Sequence, residues 1–155
     1  MSLGLYLHIP YCFSKCRYCD FYSAPGQRGV PRAYVDALLR ELSRFAPDAP
    51  LRPNTLYFGG GTPSLLDPAD AARLIDAAQP LPGAEITLEA NPETVTEDSL
   101  RAFREAGVNR ISFGVQSARD SQLKTLGRPH TAKQARAAFA AAQRAGFTNI
   151  SGDIM

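Results

Sequence analysis

Short apolar runs alternate along the chain with longer stretches in which apolar residues return every three or four positions, the signatures of strand and amphipathic helix respectively. Leu3 to Ile9 predicts a first strand. From Pro31 to Phe45, residues Tyr34, Val35, Leu38, Leu39, Leu42 and Phe45 share one helical face, and Pro47, Pro50 and Pro53 then end the helix. Thr55 to Phe58 predicts a second strand that runs into Gly59-Gly60-Gly61-Thr62-Pro63. Asp67-Pro68 starts a helix reaching about Ala78, with an acceptor at the cap and proline where its missing donor costs nothing. Glu85 to Ala90 is a third strand, and Thr96 caps a third helix ending at Gly107. Arg110 to Val115 is a fourth strand, Ser121 to Leu126 a short helical turn, and Thr131 with Gln134 a capping box for a helix ending before Gly146. Asn149 to Met155 closes the pattern as a fifth strand.

Repeated strand and helix predict an α/β fold with parallel pairing, because each long helical return excludes a hairpin. An open doubly wound sheet and a (β/α) barrel wall both satisfy this alternation. The distinctive segments, namely the cysteine loop, the glycine run, Glu89-Ala90-Asn91, Gly114-Val115-Gln116 and Asp153, fall at or just past strand C-termini, the rim where barrels assemble their sites. A full barrel needs about 250 residues. The 155 residues are therefore expected to be one domain, 1–155, forming the N-terminal part of a longer barrel with a bare sheet edge.

Composition narrows the classes. With 45% hydrophobic and 21% charged residues and a net charge of +2, the chain reads as globular. Arginine supplies 14 of the 17 basic residues but forms no block, so no nucleic-acid partner is expected. No apolar run approaches the roughly 18 residues of a membrane span, and no secretory leader pattern precedes the first strand. A cytoplasmic location is the expectation.

All three cysteines, Cys12, Cys16 and Cys19, fall within eight residues. An odd, clustered set is a poor disulfide framework and points to a metal centre in a reducing compartment. A [4Fe–4S] cluster takes four cysteines; three would leave one iron open to a chelating small molecule. Zinc with His8 or His130 as fourth ligand is the alternative that spacing leaves open. A lone cysteine nucleophile would not require the other two.

The spacing CxxxCxxC with Tyr18 before the last cysteine resembles the radical S-adenosylmethionine superfamily. Gly4-Leu-Tyr-Leu-His-Ile-Pro-Tyr-Cys12, Tyr57-Phe-Gly-Gly-Gly-Thr-Pro-Ser64, Leu88-Glu-Ala-Asn-Pro92, Ile111-Ser-Phe-Gly-Val-Gln-Ser117 and Leu126-Gly-Arg-Pro-His130 extend the likeness over nearly the whole chain. They are similar to one branch, oxygen-independent coproporphyrinogen III oxidase and its haem-chaperone relatives. The resemblance implies a partial radical SAM barrel, a [4Fe–4S] cluster on Cys12, Cys16 and Cys19, and S-adenosyl-L-methionine on the open iron, cleaved to methionine and a 5′-deoxyadenosyl radical. It implies as partners a tetrapyrrole (haem or coproporphyrinogen III), a reduced donor such as flavodoxin or ferredoxin and, for a chaperone, haem-recipient proteins. The oxidases typically carry another cysteine two residues after the third. Here Cys19 is followed by Asp20-Phe21, which resembles the chaperone type and leaves enzymatic decarboxylation open.

The same resemblance assigns the cofactor residues. Gly60, Gly61 and Thr62 meet the amino end of the methionine moiety, in a loop whose glycines suit close backbone approach and unpaired N–H groups. Tyr6 and Tyr18 line the site, the Tyr18 region beside the adenine, although a strand tyrosine such as Tyr6 also suits a core. Glu89, a carboxylate in an apolar strand, is satisfied by a cationic ligand. Gln116 and Arg128 match family binding positions, Arg128 offering a forked donor for a carboxylate, and Asp153 suits ribose hydroxyls. His8 and His130 are expected to be neutral and hydrogen-bonded near the site. Lys15 and Arg17 are either solvated or favour negative charge on the thiolates.

Overall fold

A computed structural model describes residues 2–45 and 50–155; Pro47, one of the prolines expected to end the first helix, lies outside them. Strands β1 (Gly4–Ile9), β2 (Thr55–Gly60), β3 (Glu85–Ala90), β4 (Arg110–Gln116) and β5 (Asn149–Ile154) form one parallel sheet in the order β1-β2-β3-β4-β5. Helices α1 (Arg32–Phe45), α2 (Pro68–Ala78), α3 (Glu97–Glu105), α4 (Asp120–Leu126) and α5 (Ala132–Arg144) lie in the connections.

The helix starts follow local chemistry. The Asp67 carboxylate accepts from Ala69 N at 2.8 Å beside Pro68. Thr96 with Ser99, and Thr131 with Gln134, form reciprocal capping boxes at α3 and α5. Each of these caps satisfies backbone donors that a helix terminus otherwise leaves orphaned.

Strand order settles the architecture. A doubly wound sheet reverses its order at a switch point and is covered on both faces. In this chain the order never reverses, and α1 packs on α2, α2 on α3, and α3 on α5. That is a five-stranded (β/α) barrel wall, with β1 and β5 as its edges.

Strand parity divides the two faces. Leu7, Ile9, Leu56, Phe58, Ile86, Leu88, Ile111 and Phe113 join Val35, Leu42, Leu74, Leu100, Phe103 and Ala142 in one core under the helices. The opposite parity is polar and held in register, with His8 beside Gly59, Glu89 beside Ser112 and Ser112 beside Ser151. Arg110 crosses that face, donating to Thr87 Oγ1 at 3.3 Å and Ser151 Oγ at 2.9 Å, and Ser151 donates on to Ser112 Oγ at 2.9 Å. Hydroxyl partners of this kind let polar groups occupy a barrel face.

The elements differ from the pattern-based expectation at their ends. β2 continues through Gly59 and Gly60, which pair with His8 and Ile9, although glycine carries no strand propensity. β4 extends to Gln116, and β5 stops at Ile154. Two short 3₁₀ turns, Pro63–Leu65 and Pro92–Thr94, follow β2 and β3; three residues are too few to show periodicity.

Candidate cofactor site

After β1 the chain folds back on itself. Cys12 N donates to Ala24 O at 3.0 Å, Gln27 N to Cys12 O at 3.0 Å, and Gly26 N to Phe13 O at 3.1 Å. Arg17 N donates to Leu126 O at 3.0 Å, pinning the loop to the end of α4. Within it Cys12 is buried, Cys16 and Cys19 are half-buried, and all three are free thiols. Burial pushes the Cys16 thiol up in pKa, against the pull of the Arg128 guanidinium.

The glycine run lies directly against this loop. A Cβ on Gly61 would stand 2.7 Å from Tyr11 O and 2.9 Å from Cys12 Sγ, and Gly60 has φ of +118° with the His8 ring 2.7 Å from the place of a Cβ. Only glycine allows that approach. The expected unpaired N–H groups are not found. Gly60 N donates to Glu89 Oε2 at 3.2 Å, Gly61 N to Ile9 O at 2.9 Å and Thr62 N to Tyr11 O at 2.8 Å. Because the donors close the loop against β1 and β3, what it can offer a ligand is carbonyl oxygen.

Opposite this run, Arg128 Nη1 donates to Asn91 Oδ1 at 2.7 Å, and Asn91 Nδ2 donates to Thr62 Oγ1 at 3.1 Å. The Arg128 guanidinium carbon stands 5.7 Å from the Tyr18 ring centroid, a cation–π distance. Its Nε is buried without a partner, and a buried donor left unmade costs about 1–3 kcal/mol. Burial also pushes the Tyr18 hydroxyl up in pKa, again against Arg128. A register shift between Gly114 and Gln116 gives buried Gln116 a φ of +64°, a strained conformation for a non-glycine residue that turns its side chain out of the ladder. Asp153 is exposed and pairs with Gly114 across β4 and β5.

The Glu89 carboxylate accepts from Tyr57 Oη at 2.7 Å and from Gly60 N at 3.2 Å. Both donors are neutral, so the carboxylate's charge remains available to a cation.

Every cluster and cofactor residue that the resemblance assigns lines one cavity, with the exception of Tyr6; His8 and His130, the alternative zinc ligands, do not line it. Tyr6 pairs with Tyr57 one inward step below His8, stacks on the Tyr57 ring at 6.1 Å and reaches His8 Nδ1 with its hydroxyl at 3.1 Å. Strand parity puts Tyr6 on the same face as the site, but its side chain, 54% exposed, stands outside the cavity lining. Asn91, Lys15 and Phe21 also line it. In the sequence Asn91 stands out only as part of a rim motif, because its partners lie 29 and 37 residues away in the chain.

The histidines argue against the zinc reading. His8 engages Tyr6 Oη at 3.1 Å and Tyr22 O at 3.0 Å, and His130 engages Glu93 Oε2 at 3.0 Å and Val115 O at 3.1 Å. Neither ring has a nitrogen to spare for a metal. Among the described residues no group of three or more Cys, His, Asp or Glu side chains is already arranged around one ion position. A cube of four irons spreads its thiolates over separate corners. Three free thiols, a carboxylate whose donors are neutral and an unpartnered guanidinium nitrogen, all on residues lining one cavity, fit a cluster bearing a ligand with both positive and negative groups.

Residues 6–155 match the family model described as Radical SAM superfamily. The chain is 44% identical to "Heme chaperone HemW" of Escherichia coli (strain K12), over 99% of this chain and 42% of that protein. It is 40% identical to "Radical S-adenosyl methionine domain-containing protein 1, mitochondrial" of Bos taurus, over 98% of this chain and 36% of that one. The chain therefore spans about two fifths of the length of these relatives. Among solved structures, "Coproporphyrinogen III oxidase (HemN) from Escherichia coli is a Radical SAM enzyme" superposes with a TM-score of 0.87 at 31% identity, covering 99% of this chain and 37% of that one. HydG, a maturase of the [FeFe]-hydrogenase, shares the fold with a TM-score of 0.65 at 14% identity. The family implies a [4Fe–4S] cluster and S-adenosylmethionine, the pair of ligands that the thiols and the opposed charges of the cavity suit. With nearly its whole length matched by that family and the barrel wall superposing on one of its enzymes, the chain belongs to the radical SAM superfamily.

Proposed function

We propose that the chain carries the cofactor site of a HemW-type haem chaperone, which binds haem in the cytoplasm and delivers it to recipient proteins. Cys12, Cys16 and Cys19 hold the [4Fe–4S] cluster. S-adenosylmethionine lies with its amino group toward carbonyls of Gly60, Gly61 and Thr62, its carboxylate toward Arg128 and its sulfonium charge near Glu89. Tyr18 borders the adenine, Asp153 takes ribose hydroxyls, and Gln116 closes the wall between them. When bound, the two groups together supply one-electron reductive chemistry, with the electron coming from a donor such as flavodoxin or ferredoxin.

The observation that carries the chaperone reading over the oxidase is Phe21. It stands two residues after Cys19, on the cavity lining and 66% exposed, where an oxidase would place a further cysteine. The oxidase reading keeps support from the 31% identity to the coproporphyrinogen III oxidase structure.

Anaerobic reconstitution with iron and sulfide tests the reading. The expected product is a brown protein that binds S-adenosylmethionine, takes up haem and passes it to an apo-haemoprotein, and leaves coproporphyrinogen III unchanged. Turnover of coproporphyrinogen to protoporphyrinogen would select the oxidase instead. A colourless protein holding stoichiometric zinc would reject both.

A further inference from the structure

His130 stands behind the cavity wall, with its side chain 0% exposed. Its Nε2 lies 3.1 Å from Val115 O and its Nδ1 3.0 Å from Glu93 Oε2. A carbonyl oxygen only accepts, so Nε2 carries a hydrogen. In a neutral ring the lone pair of Nδ1 would then face a carboxylate oxygen at hydrogen-bond distance, and that contact is attractive only with a proton in it.

We propose that His130 is held as an imidazolium against the Glu93 carboxylate, and that this buried pair positions the cofactor-facing wall. One ring ties three segments together. Glu93 follows Asn91 by two residues in the 3₁₀ turn after β3, Val115 directly precedes Gln116 at the end of β4, and His130 follows Arg128 by two in the link to α5. Asn91, Gln116 and Arg128 line the cavity and His130 does not. It is a positioning residue, and each of its hydrogen bonds fixes a segment that carries a lining side chain. The identity of what the wall holds rests on the proposed function; the charge state of the ring does not.

Nitrogen-15 correlation spectra of the imidazoles, recorded on the labelled chain without cluster or cofactor, read the charge directly. The expected result is two protonated ring nitrogens for His130 at neutral pH. One bare nitrogen, whether or not Glu93 then carries the proton, overturns the inference. His130→Phe keeps the volume and removes both bonds. It is expected to weaken S-adenosylmethionine binding about tenfold, the cost of one or two lost charge-assisted hydrogen bonds, at an unchanged iron content per folded chain. His130→Gln, able to restore the bond to Val115, should recover part of that loss. Affinity within about twofold of the parent in His130→Phe would leave only a structural role and overturn the positioning claim. Where His130→Phe does not fold, Glu93→Gln decides: its amide can donate to a neutral Nδ1, so the ring should lose one proton while affinity stays within about threefold. A ring still doubly protonated in Glu93→Gln overturns the pairing. Failure of the parent chain to bind S-adenosylmethionine overturns the proposed function, whereas the spectrum of His130 still decides the charge of the pair.

Discussion

Arg128 Nη1 donates to Asn91 Oδ1 at 2.7 Å across 37 residues of chain. Through Asn91 Nδ2 and Thr62 Oγ1 the link continues for a further 3.1 Å, so the loops after β2 and β3 and the segment after α4 share one line of side-chain hydrogen bonds along the rim. The cavity wall is thus braced at its surface by neutral amide and hydroxyl groups, with Arg128 as the charged end.

Asn91→Ala removes the acceptor of Arg128 and the donor of Thr62 together. It should cost about 1–3 kcal/mol in chemical denaturation, the range for leaving part-buried polar groups unpaired. Asn91→Asp keeps an acceptor for the guanidinium and loses only the donor to Thr62, so it should cost less than Asn91→Ala. Equal losses in the two variants would show that the Arg128 bond contributes nothing.

Gly61→Ala tests the close approach of the glycine run to the cysteine loop. The new Cβ would meet Tyr11 O at 2.7 Å, a backbone atom with nowhere to rotate, and Cys12 Sγ at 2.9 Å. A loss of about 1–3 kcal/mol in stability is expected, together with a lower iron content after reconstitution because Cys12 is displaced. Gly29→Ala is the control. Its Cβ would meet only Leu65 O at 3.9 Å, and it should change stability by no more than about 0.5 kcal/mol.

Apolar period made the strands and helices legible because each buries one side against the core, as with Leu56 and Phe58 on β2 or Leu100 and Phe103 on α3. Cap chemistry placed Asp67, Thr96 and Thr131 at helix starts, where the structure has them. The two sheet architectures could not be separated by pattern, since strand order is a long-range property; the unbroken order from β1 to β5 resolves them. At the site, motif spacing marked the residues lining the cavity but not how they are bonded. Parity cannot tell Tyr6, which stands outside the cavity lining, from the residues of the same face that form it. A short amide at a strand end reads as a turn former, so the bridging role of Asn91 was hidden. The N–H groups of the glycine run are taken by Ile9, Tyr11 and Glu89, partners visible only once β1, β2 and β3 are aligned.

Glu97 binds α3 to α5. Its Oε2 accepts from Arg144 Nε at 2.7 Å and its Oε1 from Arg101 Nη2 at 3.0 Å. The Arg144 hydrogen bond, followed by the charges of both arginines, holds the Glu97 carboxyl below its usual pKa. A depressed carboxyl stabilises the fold above the unfolded value of about 4.3 and loses that contribution as pH falls through the folded one. Glu97→Gln should therefore be less stable than the parent at neutral pH, and the two should converge in acid. Because the pair is largely solvent-exposed, molar salt should shrink the difference at neutral pH. A difference indifferent to both acid and salt would assign the effect of Glu97 to packing.

Tyr57 links the deep polar layer to the site through its 2.7 Å bond to Glu89 Oε1. Burial first, and then that hydrogen bond and the Glu89 charge, push the Tyr57 hydroxyl far above its ordinary pKa. For an acid with a raised value the folded chain holds its proton more tightly than the unfolded chain does. The stabilisation is therefore whole below about pH 10, the unfolded tyrosine value, and is lost as pH rises beyond it. Absorbance titration of the six tyrosines in the folded chain should show Tyr57 ionising late or only on unfolding, and Tyr57→Phe should remove that component. The variant also leaves Glu89 with Gly60 N as its remaining donor among these contacts, so it should be less stable at neutral pH by about 1–3 kcal/mol. That gap should narrow above pH 10, where the parent loses what the variant lacks. A constant gap from neutral to strongly alkaline pH would mean that the hydroxyl proton is not what Glu89 binds.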